Sequence, residues 1–489
     1  MPKIPFNNSF AQDMEGFYVP YQPDSSPNPA LLFFNDDLAK SLCISVESND
    51  TDLAQVFSGT QLPDNASPLA QVYAGHQFGY FNPQLGDGRA LLLGEVINGD
   101  KQRMDIVLKG SGRTPFSRGG DGKAAVSHVL REVLISEAMH NLGVPTTRAL
   151  AAIATGEIIY REQPLPGAVL TRVASSHLRV GTFQFFASRE ENEKVKQLAD
   201  YAIKRHDPEL LNNENPYRAF LDKVIERQAK LVAQWVSLGF IHGVMNTDNM
   251  SIAGETIDYG PCAFMENYKP DTFFSSVDEY GRYAYKNQAP IAQWNLARFA
   301  ESLLALLADD IEEAKTVATE RLEQFRCRYE QHRLSLFSAK LGLKLIDQER
   351  NQQLIDSWLL LLEKQSIDFT LAWRYLSDMD SARLLDLFAD KAGIQQWINQ
   401  WQSACEQQNT HKESHRERLS TMQTLNPWLI PRNYRVEEAL EAATAGDLTR
   451  FNTLHQALAQ PYSERTQYAQ LAEPATAVFN KNYRTFCGT

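Results

Sequence analysis

The first part of the chain carries short apolar runs separated by segments rich in glycine and proline. Short runs of aliphatic residues between turn-forming residues predict buried β-strands. Glycine and proline interrupt the pattern mainly over residues 75–94 and 110–122, which are typical of turns and loops. The predicted strands are Ala90–Leu93, Met104–Leu108, Ala151–Ala154 and Ala168–Val173.

Helical periodicity dominates the rest of the chain. One helix is predicted in the first part, over Ala124–Asn141, because apolar residues recur on one face and Gly143 and Pro145 follow as stop signals. After about Phe183 the same spacing recurs in Leu221–Val236, Ile291–Leu307, Leu354–Leu362 and Val436–Ala443. The pattern predicts an α+β protein in which a strand-rich N-terminal part packs on a larger helical part.

Composition narrows the class of protein. The 489 residues carry a formal net charge of −12, which disfavours nonspecific nucleic-acid binding because such binding uses clustered Lys and Arg. The N-terminus has no secretory signal pattern, and no apolar run is long enough to span a bilayer. The cysteines are odd in number, dispersed and without metal-ligand spacing: Cys43, Cys262, Cys327, Cys405 and Cys487. We therefore expect a cytoplasmic protein without a nucleic-acid or membrane partner.

A glycine-rich turn precedes the first predicted strand. Gly86 and Gly88 flank an aspartate, and Arg89 follows. Glycines let backbone N–H groups approach phosphates, and an arginine adds positive charge. A plain hairpin turn explains the same residues when they are considered alone.

A lysine and a glutamate form the next candidate pair. Lys109 ends the predicted strand Met104–Leu108, where it can either contact phosphates or extend into solvent. Glu132 lies beside the apolar face of the predicted helix, where a buried carboxylate needs a cation and an exposed one does not. A strand lysine paired with a helix glutamate after a glycine-rich hairpin is the protein-kinase arrangement.

Arginines accompany the loops around this pair. Arg113 and Arg118 lie in the loop 110–122, which can either fold over a nucleotide or form a solvated insertion. Arg172 lies in the last predicted strand and Arg179 follows it, and these two guanidinium groups can bind a triphosphate or form ordinary surface ion pairs.

The strongest chemical signal lies in residues 239–260. His242 opens this segment, Asp248 and Asn249 are adjacent, and Asp258 begins an Asp-Tyr-Gly triplet similar to the Asp-Phe-Gly of kinases. Carboxylate and amide oxygens suit Mg²⁺, and an aspartate beside the metal can accept a proton from a hydroxyl nucleophile. The spacing predicts a catalytic loop followed by a β-hairpin. An ordinary turn and a structural histidine explain each part separately but not the ordered combination.

These residues together resemble one family, the selenoprotein O or YdiU-type protein adenylyltransferases, once called pseudokinases. The resemblance covers essentially the whole chain, including Asn426–Pro427 and Arg432–Tyr434 in the helical part. The motifs that carry it are Tyr73–Gly79, Leu85–Arg89, Leu108–Arg118, Asp121–Gly122, Arg131–Met139, His242–Met250 and Asp258–Pro261.

The resemblance implies a fold and a reaction. The fold is a bilobal protein-kinase-like fold, with an N-terminal lobe over 1–180 and a helical C-terminal lobe with an added extension over 181–489. ATP binds in the inverted sense relative to kinases, so AMP passes to Ser, Thr or Tyr hydroxyls of proteins and pyrophosphate leaves. The enzyme itself is one candidate acceptor. The metal is Mg²⁺ or Mn²⁺.

The resemblance also implies roles for individual residues. Asp248 is the proton acceptor, Asn249 and Asp258 hold the metal, and Asp258 also belongs to the nucleotide site. Lys109 contacts phosphate and pairs with Glu132. The remaining nucleotide-site residues are Gly86, Gly88, Arg89, Asp121, Gly122, Arg172 and Arg179.

Three positions differ from kinases or from some relatives. Asp248 and Asn249 are adjacent, whereas kinases separate the equivalent residues, which disfavours simple phosphotransfer. Cys262 and Ala263 stand where some relatives have an aromatic residue and glycine, so local packing should differ. Cys487 lies where some relatives carry selenocysteine and is either a redox switch or a spare thiol. UMP transfer, protein phosphorylation and a non-catalytic ATP-binding scaffold remain possible functions beside AMP transfer.

Overall fold

An antiparallel β-sheet forms the first part of the computed structural model, which describes residues 2–46, 49–408 and 414–486. Seven strands follow the order β1-β3-β6-β7-β10-β9-β2, and β8 pairs with β10. Two short pairs, β4 with β5 and β11 with β12, lie outside this sheet. The strands are β1 Tyr18–Pro20, β2 Ala30–Phe34, β3 Leu69–Gln71, β4 Gly75–Gln77, β5 Tyr80–Asn82, β6 Ala90–Ile97, β7 Arg103–Lys109, β8 Ala124–Ala125, β9 Arg148–Tyr160, β10 Pro164–Ala174, β11 Phe240–Ile241 and β12 Ala263–Phe264.

Helices account for most of the chain after β10. Short 3₁₀ turns occupy Pro208–Asn212, Thr247–Asn249, Tyr285–Asn287 and Thr466–Tyr468. The α-helices are α1 Ser9–Asp13, α2 Asp36–Ser41, α3 Asp50–Phe57, α4 Val126–Asn141, α5 Val180–Ala187, α6 Asn192–His206, α7 Pro216–Leu238, α8 Gln288–Leu307, α9 Ile311–Lys340, α10 Gln348–Gln365, α11 Phe369–Tyr375, α12 Ala382–Leu387, α13 Lys391–Gln407, α14 His415–Gln423, α15 Asn433–Thr444, α16 Thr449–Leu458, α17 Ala469–Ala472 and α18 Ala477–Asn482.

Alternation along the strands gives the sheet two buried faces. Ile106 and Leu108 of β7 join a cluster with α2 and α3, whereas Val107 joins the large core that includes α4 and the C-terminal helices. Because side chains alternate with a period of two, Lys109 lies on the same face as Val107. This alternation directs the end of β7 toward α4.

The predicted α+β class is confirmed, because the antiparallel sheet lies in the N-terminal part and the larger helical region follows it. All the strands and helices predicted from periodicity are present, mostly longer than predicted. The division at residues 180 and 181 stays a prediction. In the described ranges, no helix has both the length and the apolar character needed to cross a membrane.

Two local predictions differ from the structure. Helix α4 begins at Val126 and not at Ala124, because Ala124 and Ala125 pair with β10. The segment between Asn249 and Asp258 does not form the expected hairpin. Its residues make single bridges to other parts of the chain, from Ser251 to Arg179 and from Thr256 to Thr146.

Candidate functional site

A buried cluster of charges joins β7, α4 and the Asp-Tyr-Gly segment. Lys109 Nζ lies 2.6 Å from Glu132 Oε2 and 2.6 Å from Asp258 Oδ1. Glu132 is buried within α4, so it is not the solvent-facing carboxylate that the sequence also allowed. The Lys109–Glu132 ion pair expected from the sequence is therefore present, and Asp258 shares the lysine.

Two arginines complete the cluster from the other side. Arg172, on β10, donates from Nη1 to Glu132 Oε1 at 3.2 Å and to Asp258 Oδ1 at 2.7 Å. Arg179, which caps α5, donates to the backbone oxygen of Asp248 at 3.0 Å and lies 3.5 Å from Asp258 Oδ2. Neither arginine forms a surface ion pair, because both side chains are buried. The two sequence motifs that contain Asp248 and Asp258 thus meet at Arg179.

Electrostatics keep Asp258 ionised in this cluster. Burial opposes its ionisation, but the charges of Lys109, Arg172 and Arg179 outweigh burial and hold the pKa of Asp258 well below its usual range. Its backbone φ is +64°, in the left-handed region that aspartate tolerates better than most residues. Such conformations concentrate at functional sites, where the surrounding contacts enforce them.

The catalytic-loop candidates lie on the 3₁₀ turn that begins at Thr247. Asp248 accepts a hydrogen bond from Gln77 Nε2 at 3.2 Å through Oδ2, whereas its buried Oδ1 has no hydrogen-bond partner among the described residues. Burial, partly offset by Arg179, raises the pKa of Asp248 to about 6. Asn249 donates from Nδ2 to Val244 O at 3.1 Å, which orients its amide.

Gly75 leaves room for the Asp248 carboxylate. A Cβ at this position would lie 2.8 Å from Asp248 Oδ1, closer than side chains normally approach. The adjacent hairpin of β4 and β5 is held on the catalytic loop by His76 N, which donates to Thr247 Oγ1, and by Phe78 N, which donates to Asn246 Oδ1. The hairpin therefore forms one wall of the site.

The glycine-rich turn lies under the loop that follows β7. Gly86 has a φ of +70°, and a Cβ there would lie 2.3 Å from the ring of Phe116. Thr114 Oγ1 donates to Asp87 O at 2.6 Å, and Ser117 Oγ donates to Gly88 O. The loop 110–122 is thus folded over the turn and is not a solvated insertion, although Arg113 and Arg118 remain exposed.

Arg89 belongs to the surroundings of the charged cluster. It lines a small cavity together with Lys109, His128, Glu132 and Gly260. Arg89 lies close to Lys109 because it directly precedes Ala90, the first residue of β6, which pairs with Lys109.

Asp121 and Gly122 lie in a different set of contacts. Asp121 forms a two-bond ion pair with Arg161, with N–O distances of 2.8 and 2.9 Å. The hydrogen bonds from Arg161 hold the pKa of Asp121 below its usual value. Gly122 has a φ of +68° and packs directly on the backbone of Gly112, so no other residue fits there. The structure thus gives Asp121 an arginine partner outside the Lys109 cluster.

Two buried residues outside the predicted set also position this site. Arg131 donates to Gly260 O at 3.0 Å and to Cys262 O at 2.6 Å, so it ties α4 to the Asp-Tyr-Gly segment. His177 Nε2 accepts from Arg172 Nε at 3.2 Å, which leaves Nδ1–H to donate to Asp105 at 2.9 Å. Burial lowers the pKa of His177 to about 4, so the ring is neutral.

Weak sequence signals mark three residues of the site that were not predicted, namely Arg131, Gln77 and Asp87. Arg131 directly precedes Glu132, and Gln77 belongs to the Tyr73–Gly79 motif, so both lie in segments already singled out by the resemblance. Asp87 lies between the two glycines, and the structure gives it a buried carboxylate 3.7 Å from Arg179. Burial raises the pKa of Asp87 to about 6.

The oxygen atoms that could bind a metal ion are those of Asn249 and Asp258. The carboxylate of Asp258 and the amide oxygen of Asn249 suit Mg²⁺ or Mn²⁺, which prefer oxygen ligands, and the unpartnered Oδ1 of Asp248 beside them is left to accept a proton. Within the described part of the chain, no three His, Cys, Asp or Glu side chains form a complete metal cage. This donor set still fits, because Mg²⁺ in nucleotide sites usually takes one or two carboxylates and completes its shell with phosphate and water.

The packing difference expected at Cys262 and Ala263 stays a prediction. Cys262 is buried and donates to Tyr259 O at 3.4 Å, and burial raises the pKa of its thiol to about 12. Cys487 lies outside the described residues.

Comparison with known proteins assigns the class. The model of the family described as protein adenylyltransferase SelO matches residues 1–459. The chain belongs to this family, whose fold is kinase-like, and its predicted class of enzyme, a protein nucleotidyltransferase, is confirmed.

Individual relatives match over their full length. A protein named protein nucleotidyltransferase YdiU from Cereibacter sphaeroides strain ATCC 17029 is 53% identical over 492 residues, covering 99% of both chains. Proteins of the same name from Chromobacterium violaceum and Rhizobium meliloti are 52% and 48% identical. These alignments cover 96% and 100% of this chain, and 99% and 100% of the relatives.

Proposed function

We propose that this enzyme transfers AMP from ATP to Ser, Thr or Tyr hydroxyl groups of proteins, with Mg²⁺ or Mn²⁺, and releases pyrophosphate. The supporting observation is the convergence of Lys109, Arg172 and Arg179 on Asp258, with Asp248 joined to the same arginine. Three buried cations beside oxygen donors are a suitable environment for a metal-bound triphosphate. Membership of a family of protein adenylyltransferases supports a protein acceptor.

In the proposed reaction the acceptor hydroxyl oxygen attacks the α-phosphorus of ATP. A new oxygen–phosphorus bond forms, the bond from the α-phosphorus to the bridging oxygen breaks, and pyrophosphate leaves with that electron pair. Asp248 takes the hydroxyl proton, because its Oδ1 accepts no hydrogen bond from the described residues and Gln77 holds its other oxygen.

The remaining residues bind and orient the nucleotide. Lys109, Arg172 and Arg179 exchange part of their contact with Asp258 for contacts with phosphate oxygens, while Glu132 keeps Lys109 in place. Asn249 and Asp258 would hold the metal, which supplies neutralisation of phosphate charge when it is bound. Gly86, Gly88 and Arg89 contact the nucleotide from the turn, and Asp121 and Gly122 shape the covering loop.

The test determines which phosphoryl group of ATP, α or γ, is transferred to protein. The protein is incubated with a divalent metal and ATP labelled at either the α- or the γ-phosphorus, and modified protein is analysed by mass spectrometry. We expect the α label on protein, at a mass increase of one AMP, with self-modification as the simplest acceptor reaction. Transfer of the γ label alone would refute the proposal and make the enzyme a kinase.

Two controls distinguish AMP transfer from UMP transfer and from ATP binding without catalysis. Competition among the four nucleoside triphosphates identifies the nucleotide that is transferred. Lys109→Ala and Asp258→Ala should reduce labelling by about a hundredfold or more, because each removes a charge that the transition state uses. Lys230→Ala, an exposed lysine on α7, is the matched control. Unchanged labelling in the two site variants would show that the transfer does not depend on this site. The site would then be an ATP-binding scaffold that does not catalyse transfer.

A further inference from the structure

Exposed aromatic residues lie on two segments that contact the loop carrying Asn246 and Asp248. Tyr80, at the tip of the β4–β5 hairpin, is 82% exposed, and Tyr280, in the turn 277–283, is 93% exposed. Phe81 and Val277 on the same two segments are also exposed. We call these two segments, residues 78–81 and 277–283, the acceptor lip.

The two segments of the acceptor lip contact one another. The ring of Phe78 lies 5.3 Å from that of Tyr283. The guanidinium of Arg282 lies 3.9 Å from the position that a Cβ on Gly79 would occupy. The lip is therefore one continuous surface and not two separate loops.

The lip is connected directly to the proposed proton acceptor. Gln77, which bonds to Asp248, immediately precedes the hairpin tip, and Phe78 N donates to Asn246 Oδ1 at 3.1 Å. Tyr283 OH donates to the same oxygen of Asn246 at 2.6 Å. Both segments of the lip are thus held on the catalytic loop, so a bound acceptor would be positioned relative to Asp248.

Arginines border the lip, which itself contains one exposed carboxylate, Glu279. The other carboxylate of the lip, Asp278, is buried and accepts hydrogen bonds from the backbone N–H groups of Arg282 and Tyr283. Arg282 and Arg298 each lie 5.1 Å from the ring of Trp294, and Arg189 donates to Pro83 O at 3.0 Å. Arg298 is paired with Glu301, but in the described chain neither Arg189 nor Arg282 has a carboxylate within ion-pair distance. This arrangement is notable in a protein with a net charge of −12.

We infer that the acceptor lip binds the protein acceptor, as an exposed segment that carries an acidic side chain near the hydroxyl to be modified. The inference rests on the proposed function and names its substrate class. Exposed aromatic residues together with arginine are typical of the residues that dominate protein interfaces. Arginines without carboxylate partners are complementary to an acidic ligand and select it over a basic one.

The experiment uses short synthetic peptides with one central serine, threonine or tyrosine and with Glu, Gln or Lys placed in turn at each flanking position. Transfer from α-labelled ATP is measured for each peptide. We expect kcat/KM for the best Glu peptide to exceed that of its Lys counterpart by about fivefold, the effect of one partly exposed ion pair. Arg282→Glu should reverse this preference, whereas Arg326→Glu, an exposed arginine on α9, should not.

A second variant tests the aromatic part of the lip independently of charge. Tyr280→Ser changes an exposed side chain, so folding should be unaffected, and KM for peptide should rise while kcat and the KM for ATP stay unchanged. Equal rates for Glu and Lys peptides, or a preference that survives Arg282→Glu, would overturn the inference. Transfer of the γ label with the acidic preference intact would refute the proposed function and leave the lip as the acceptor surface.

Discussion

Arg131 offers a sharp test of how the Asp-Tyr-Gly segment is held. Its guanidinium is buried and donates to the backbone oxygens of Gly260 and Cys262. It also donates to Tyr483 OH at 3.5 Å and to Glu437, whose side chain is 45% exposed. Arg131→Met keeps most of the apolar volume but removes every donor. Both carbonyl groups then lose a charge-assisted hydrogen bond in a buried setting.

The magnitude follows from the burial of each partner. A hydrogen bond to a charged group contributes about 1.5–3 kcal/mol, and partial rehydration of the two carbonyls reduces the loss, so we expect Arg131→Met to lower the free energy of unfolding by about 3 kcal/mol. Arg131→Lys should cost about half as much, because an ammonium group does not reproduce the planar fork of donors. Glu437→Gln should cost only about 1 kcal/mol, since the Glu437 side chain is 45% exposed and a glutamine amide oxygen can still accept from Arg131 and Tyr483.

Urea unfolding followed by tryptophan fluorescence measures these differences, and α-label transfer measures the effect on activity. Transfer by Arg131→Lys should fall by about tenfold to a hundredfold in kcat, because Asp258 lies two residues before Gly260 and small displacements of reacting groups are costly. Equal destabilisation by Glu437→Gln and Arg131→Met, or transfer of the α label by Arg131→Lys at the wild-type rate, would show that Arg131 does not hold the Asp-Tyr-Gly segment in this way.

Three more predictions concern the Lys109–Glu132 ion pair, Gly75 and the Glu255 carboxylate. Combining Glu132→Gln with Lys109→Met should cost less unfolding free energy than the two single changes added together, because the pair is in contact; additive losses in a double-mutant cycle would contradict this. Gly75→Ala should lower kcat strongly with little change in the urea midpoint, because the added Cβ would displace the Asp248 carboxylate. A wild-type kcat for this variant would contradict the prediction. Burial raises the pKa of Glu255 to about 7, so folding takes up a proton and stability falls as pH rises from about 4.5 through 7. The free energy of unfolding of Glu255→Gln minus that of wild type should therefore be larger at pH 8 than at pH 5. Urea unfolding of both proteins at the two pH values measures this difference.

Local sequence determined the elements and most of the motifs. Alternation of apolar residues is a property of neighbouring positions, so it identified the strands that end at Lys109 and contain Arg172. The stop signal at Gly143 was likewise local, because its left-handed conformation, with a φ of +81°, suits glycine. The sequence also suggested the pairing of Lys109 with Glu132, because a strand lysine and a helix glutamate after a glycine-rich hairpin match the protein-kinase arrangement.

Contacts between distant residues were decided by the tertiary structure alone. Asp258 reaches Lys109 across 149 residues, and Gln77 reaches Asp248 across 171. Asp121 pairs with Arg161, a partner that no local pattern indicated. Electrostatic attraction and hydrogen bonding depend on distances and burial, and periodicity fixes neither of these for residues far apart in the chain. The sequence therefore specified which residues were present for chemistry, and the packing of the sheet against the helices specified which of them meet.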